Sequence, residues 1–210
     1  MTLLEAARDL LVPARCAGCA TTGEWLCQAC RDECEPRTLP SGGSPRLRIR
    51  GAGSFEGGLR EAIHRFKYGA ERGLSAELGA LVASLVARDL AAGTPLDALV
   101  PVPLHVTRRT ERGYDQAALL AASVAVRTGL PLVPALRRIR GGHPQVRLGR
   151  AARAENVGGA FVACAGSLRG LRVALVDDVA TTGATLRAAA ATTRAAGARA
   201  VRAYVIAVDD

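Results

Sequence analysis

Aromatic side chains are scarce: three Phe, three Tyr and one Trp in 210 residues. Gripping single strands of nucleic acid by stacking bases on rings needs several exposed aromatics, so that mode is disfavoured. Lysine is nearly absent. Of 28 basic residues Lys67 alone is lysine, and the rest are arginine. No apolar run reaches the roughly 18 residues of a membrane-spanning helix. The three histidines, His64, His105 and His143, lack metal-binding spacing and receive no role. The N-terminal apolar stretch is broken by Glu5, Arg8 and Asp9, so no signal peptide is expected and a cytoplasmic location is. What is plentiful is apolar content, 49%, enough for a sizeable core, and positive charge, a net +9. A basic chain leaves polynucleotide contact open.

The pattern along the chain alternates strands with helices. Thr2–Leu11 has helical spacing and stops at Pro13; Cys16–Cys34 holds five of the six cysteines; Pro36–Pro45 reads as a linker. Arg46–Phe55 reads as a strand or hairpin arm. Leu59, Ile63 and Phe66 share one helical face, and a second helix spans Leu74–Leu90. Asp97–Val102 fits a buried parallel strand, Gln116–Arg127 a helix, Leu130–Val133 and Gly159–Cys164 short strands, and Ile139–Arg153 an arginine-dense mobile loop. Leu171–Val176 is an apolar strand ending in two acids, Ala184–Ala196 a helix and Val201–Val208 a closing strand. This order predicts an α/β fold with a largely parallel sheet.

Cys16-x2-Cys19 and Cys27-x2-Cys30 are two knuckles separated by a short loop. Paired units of this kind bring four thiolates within reach of one tetrahedral Zn²⁺. In a reducing compartment disulfides are the weaker alternative, and a redox dithiol is a further one. Cys34 could replace Cys30, although the pairing favours Cys30. Four thiolates leave zinc no open position, so a structural role is expected: so short a segment has too little apolar surface to fold unaided. Such a lobe can also contact DNA or a partner protein. Cys164, in a predicted strand, is expected to be a buried core thiol.

The strongest signal runs from Val173 to Thr185. An apolar strand delivers Asp177 and Asp178 to its C-terminal edge, where ligands bind in open α/β sheets. A Thr181-Thr182-Gly183 turn then opens a helix. Its amides and the helix dipole favour an anion, Gly183 permits close approach, and Thr181, Thr182 and Thr185 add hydroxyls. The carboxylates repel a phosphate but suit the hydroxyls of an attached sugar, or a Mg²⁺ bridging to it. The expected ligand is therefore a ribose over the acids with its 5′-phosphate in the turn. That reading requires that the two aspartates not be buried in ion pairs and that the turn stay open.

This segment resembles the phosphoribosyl pyrophosphate (PRPP) motif of type I phosphoribosyltransferases. Further segments narrow the resemblance to the competence-protein-F-like (ComF/GntX) family: the paired knuckles after a helix, Ile63 to Gly69, Val100-Pro-Val-Pro103, Arg112-Gly-Tyr-Asp-Gln116, Pro144-Gln145, and Arg153-x2-Asn156 leading to Phe161. Asp115 stands where that family usually has Asn. The resemblance implies a type I phosphoribosyltransferase-like sheet flanked by helices over residues 46–210, with a small zinc-binding lobe over residues 1–45. It implies PRPP with Mg²⁺ bound at Asp177, Asp178, Ala180, Thr181, Thr182, Gly183, Ala184 and Thr185. Pro103 would stiffen a loop facing pyrophosphate. Arg108 and Arg112 would lie just beyond it, or else form a solvated helix start. Arg147 and Arg150 would belong to a loop that closes over PRPP and neutralises the leaving group; coding bias or a nucleic-acid contact are the other readings of that arginine run. Lys67 would either pair with an acid or serve the site. Two functions compete. One is Mg²⁺-dependent phosphoribosyl transfer to an unidentified acceptor. The other is a silent PRPP- or nucleotide-gated adaptor for DNA or a competence-machinery protein. A homodimer is compatible with both.

Overall fold

The computed structural model describes residues 13–39, 47–69, 71–104, 114–139 and 160–209. The predicted N-terminal helix and nearly all of the arginine-dense loop lie outside these residues. The described helices are α1 (Gln28–Asp32), α2 (Gly57–Tyr68), α3 (Leu74–Ala91), α4 (Gln116–Thr128) and α5 (Ala184–Ala195). The strands are β1 (Arg37–Leu39), β2 (Ile49–Ser54), β3 (Ala98–Pro101), β4 (Leu136–Arg138), β5 (Phe161–Ala163), β6 (Arg172–Ala180) and β7 (Ala200–Val208). No helix of the described residues is long and apolar enough to cross a membrane.

Five strands form one sheet in the order β1-β2-β7-β6-β3. The β2–β7, β7–β6 and β6–β3 pairs are parallel, and β1 joins β2 antiparallel. The sheet is covered on both faces, which is why its middle strands read as continuous apolar runs. The two-residue period of a strand sorts their side chains. Ala174, Val176, Tyr204 and Ile206 face α2, α3 and α4, while Val173, Leu175, Ala203 and Val205 face α5 and the β4–β5 pair. The helices bury the faces their spacing predicts: α2 buries Leu59, Ala62, Ile63 and Phe66. Asp115 caps α4, its carboxylate accepting from the Ala118 amide at 3.1 Å, and Gly129 ends the helix at φ 72°. Asp97 clamps the start of β6, accepting from the Arg172 amide at 2.8 Å and from its guanidinium at 2.6 Å. Those bonds hold the Asp97 carboxyl down at about 2.

Several expectations need correcting. Residues 37–39, expected within a linker, form edge strand β1, because Leu39 is buried and pairs with Ile49. Leu130–Val133 forms only a single bridge, Leu132 to Leu99; Pro131 and Pro134 lack the N–H groups a ladder needs. Leu136–Arg138 is an unexpected strand, antiparallel to Phe161–Ala163. Cys164 is exposed, not a core thiol, because β5 ends one residue before it. Strand β6 does not stop at the acids but runs through them, held by β7 to the Ala180–Val208 pair.

Candidate functional site

The cysteine knuckles converge. The Sγ atoms of Cys16, Cys19, Cys27 and Cys30 lie within 4.8 Å of one another. A tetrahedral Zn²⁺ with Zn–S near 2.3 Å needs edges of about 3.8 Å, so the four fit one such ion with small adjustment. The backbone shapes the site: the Ala20 amide folds back to the Cys16 carbonyl at 2.9 Å, and Ala20 sits at φ 61°. The Cys27 amide donates to Cys16 Sγ at 3.3 Å. Burial opposes ionisation of Cys16, but amide donors, led by Cys27, bring its thiol down to about 6. Burial and the neighbouring sulfurs push Cys30 well up. Cys34 stands outside the set, with its thiol toward the Cys30 carbonyl at 3.5 Å. The lobe is seated tightly on the sheet domain: a Cβ on Gly58 would come within 2.6 Å of the Gly18 Cα. Behind it a cavity of about 270 Å³, lined in part by Arg31, Cys34, Ser84 and Arg88, lies away from the acid pair.

The second constellation sits at the C-terminal end of β6. Asp177 is half-buried and Asp178 is 9% exposed. The Asp178 amide donates to Asp177 Oδ1 at 2.9 Å, and the Val179 amide to Asp178 Oδ1 at 2.6 Å. Lys67, on the last turn of α2, places Nζ 2.9 Å from Asp178 Oδ2. Of the requirement that neither acid be ion-paired, half is met: Asp178 is paired, and Asp177 forms no salt bridge among the described residues. Burial, reinforced by the Asp178 charge, pushes the Asp177 carboxyl up to about 8, while Lys67 and Arg138 pull it the other way.

This shift sets a pH dependence. An acid whose pKa rises on folding holds its proton more tightly folded than unfolded. Its contribution to stability is complete below the ordinary value of 3.8 and is lost as pH rises through about 8. Asp177→Asn removes the titration. The variant should therefore gain on the wild type between pH 5 and 8, by up to about 1.4 kcal/mol per pH unit. Urea unfolding at a series of pH values reads the gap, and a constant gap would exclude Asp177 as the titrating group.

The turn after β6 is open. Thr181, Thr182 and Ala184 are exposed, while Gly183 is buried at φ 70° against Leu39 and Ile49. The amides of Thr181, Thr182, Gly183 and Thr185 donate to no described backbone carbonyl. The Ala184 amide reaches Thr182 Oγ1 at 3.4 Å, and Arg187 ties the turn by donating to the Thr182 carbonyl at 2.6 Å. A row of amides at the start of a twelve-residue helix can hold an anion. Pro103, half-buried, follows the end of β3, where the Val102 amide donates to the Val176 carbonyl at 2.9 Å. The β3 end thus lies beside the acids. Arg108, Arg112, Arg147 and Arg150 lie outside the described residues.

Sequence reasoning left Lys67 open, and the fold resolves its pairing. Its one sequence signal is being the sole lysine among arginines. Tyr114 braces the same helix end: its Oη donates to the Phe66 carbonyl, and the Tyr114 and Phe66 rings lie 5.9 Å apart. Arg138, which closes β4, lies over the Phe161 ring at 5.3 Å.

No protein-family model matches the chain. It is 30% identical over 170 residues to the DNA utilization protein YhgH of Salmonella typhi, covering 77% of this chain and 74% of that protein. It is 38% identical over 93 residues to Competence protein F of Haemophilus influenzae, covering 43% of this chain but only 41% of that relative. Two solved structures align with the chain at low identity. A glutamine PRPP amidotransferase from B. subtilis, complexed with ADP and GMP, aligns at 22% identity and TM-score 0.48, over 69% of this chain and 30% of that one. An adenine phosphoribosyl transferase from Trypanosoma brucei, in complex with AMP, pyrophosphate and ribose-5-phosphate, aligns at 13% identity and TM-score 0.45, over 82% and 86%.

Proposed function

The chain belongs to the competence-protein-F-like (ComF/GntX) family, and on that premise we propose that it binds PRPP at the end of β6 and transfers the phosphoribosyl group to an acceptor. The observation that carries this reading is the juxtaposition of the acid pair with the open turn. Asp177 and Asp178 offer acceptors for a ribose diol. Four residues on, backbone amides and the exposed hydroxyls of Thr181 and Thr182 can ring a 5′-phosphate. Thr185, half-buried on the first turn of α5, adds a hydroxyl. Ala180 and Ala184 are small enough to leave the ligand room. Pro103 stiffens the neighbouring loop, and Arg108, Arg112, Arg147 and Arg150 are assigned to the pyrophosphate. In transfer, the bond from the anomeric carbon to the pyrophosphate oxygen breaks and a bond to the acceptor forms. Mg²⁺ belongs to this scheme as part of the substrate, carried on the diphosphate. The donor set supports that placement, because Lys67 already occupies Asp178 Oδ2. Structural zinc is assigned to the four clustered cysteines.

Similarity to Competence protein F and to a DNA utilization protein supports a second reading, a PRPP-gated adaptor without turnover that engages DNA or a competence-machinery protein. Calorimetry with PRPP and Mg²⁺, paired with pyrophosphate release across a panel of amines and bases, separates the two. Binding is expected in either case. Above pH 8, where both carboxyls are ionised, Asp177→Asn and Asp178→Asn should each weaken it about tenfold or more, as loss of a hydrogen bond to a charged group implies. Release that these variants abolish establishes the transferase; binding without release establishes the adaptor. Full affinity in both variants would remove the acids from the site.

A further inference from the structure

We propose that Lys67 is a positioning residue of this site: its ammonium is the resident counter-ion that holds Asp178 ready to accept from a ribose hydroxyl and keeps a free divalent cation off the acid pair. The inference rests on the sugar-phosphate reading above and adds to it a metal-independent mode of sugar recognition.

The geometry is specific. Nζ lies 2.9 Å from Asp178 Oδ2, with the Lys67 and Asp178 side chains only 16% and 13% exposed. The other oxygen, Oδ1, accepts from the Val179 amide at 2.6 Å. Among the described residues, each Asp178 oxygen is thus oriented by one donor. Each keeps a second lone-pair direction that a hydroxyl can use, whereas a cation placed there would be repelled by the neighbouring ammonium charge. Mg²⁺ demands near-octahedral oxygen ligands and gives up its water reluctantly. To reach Asp178 it must expel the ammonium or share the carboxylate with it, and both are unfavourable at a poorly hydrated site.

Lysine suits this task better than arginine. It is a compact charge with three donors, so one can stay on Asp178 while another meets a ligand, whereas a guanidinium fork would cover both carboxylate oxygens. That this position carries the one lysine in a chain otherwise basic through arginine accords with such a requirement. The helix end is also fixed independently of the ion pair. Tyr114 Oη donates to the carbonyl of Phe66, the residue before Lys67, and Phe66 itself is fully buried. Lys67 is therefore presented to the acid from a braced backbone.

The test uses the full chain, ribose 5-phosphate as the sugar probe and Mn²⁺ as the cation probe, each followed by calorimetry. Lys67→Met keeps the stem and removes the charge. Lys67→Gln serves if the Met variant fails to fold, which near-ultraviolet circular dichroism shows. Lys67→Met/Asp178→Asn is the blank for cation uptake. The wild type should bind ribose 5-phosphate without divalent cation and within twofold as tightly when Mg²⁺ is added. Lys67→Met should lose at least tenfold in that affinity, gain one Mn²⁺ per chain over the double variant, and recover sugar affinity when Mn²⁺ is present. A Lys67→Met protein that binds the sugar like the wild type and takes up no extra Mn²⁺ overturns the proposal. If neither protein binds ribose 5-phosphate or PRPP, the sugar-phosphate reading fails. The Mn²⁺ comparison then still decides whether Lys67 guards the acid pair.

Discussion

Replacing Cys16 by serine should cost the protein one equivalent of zinc and unfold the segment around residues 13–34. Cys16 is the most deeply placed of the four, at 2% exposure, and the Cys27 amide is built onto its sulfur. A serine oxygen is a poor ligand for a site shaped for thiolates. Zinc binding to such modules is worth about 10–16 kcal/mol, and because no site exists in the unfolded chain that free energy is folding free energy. The lobe has little else to hold it. Helix α1 has five residues and buries none. Leu26, fully buried, is its main apolar anchor and shares a core with Ile63 and Phe66 of α2. Losing that anchorage should cost the remaining fold about 2–5 kcal/mol, and the main melting transition should fall by about 10 °C. Cys34→Ser and Cys164→Ser are the contrasts, since one thiol faces a carbonyl and the other is exposed, and both should retain the metal. Elemental analysis and hydrogen exchange over residues 13–34 read the outcome. A Cys16→Ser protein that keeps a full equivalent of zinc would refute the assignment.

What could be read ahead of the structure, and what could not, follows from the range of the forces involved. The run Val173–Val176 declares a strand buried on both faces, and the spacing of Leu59, Ile63 and Phe66 declares one face of a helix, because each pattern is local. The cysteine set was legible for the same reason, its chemistry fixing both residue type and spacing. Strand β1 was not legible. It buries a single side chain, Leu39, and is a strand only because β2 offers a free edge. Strand β4 was hidden by its two arginines, one of which covers an aromatic ring rather than pointing into water. The acids were placed at a strand end by their position after an apolar run, yet β7 carries the ladder past them. The ion pair between Lys67 and Asp178 joins the C-terminal ends of α2 and β6, an encounter that only the crossing topology of the sheet creates. It is also the contact that most changes the chemistry of the site.

Gly183→Ala should damage both stability and anion binding, and a second glycine isolates the reason. Gly183 and Gly129 hold nearly the same left-handed backbone, φ 70° and φ 72°. An alanine in that region costs about 1–2 kcal/mol at either place. The surroundings differ. A Cβ at Gly129 meets nothing within 4 Å, whereas at Gly183 it comes within 2.8 Å of Ile49 Cδ1 and 2.9 Å of Leu39 Cδ2. Both contacts are methyl ends of buried side chains on β2 and β1, so relief requires those side chains to repack in a filled space, or the turn to shift. Overpacking of this kind adds about 1–3 kcal/mol. The melting temperature of Gly183→Ala should therefore fall below that of Gly129→Ala by several degrees. The functional consequence is sharper, because Gly183 separates Thr182 from the first turn of α5. Turning its peptide aims the amides away from a common centre. Ribose 5-phosphate affinity should drop at least tenfold in Gly183→Ala and stay at the wild-type value in Gly129→Ala. Equal melting temperatures and equal affinities in the two variants would mean that the turn tolerates a side chain, and the close approach of hairpin and turn would then have no part in shaping the anion site.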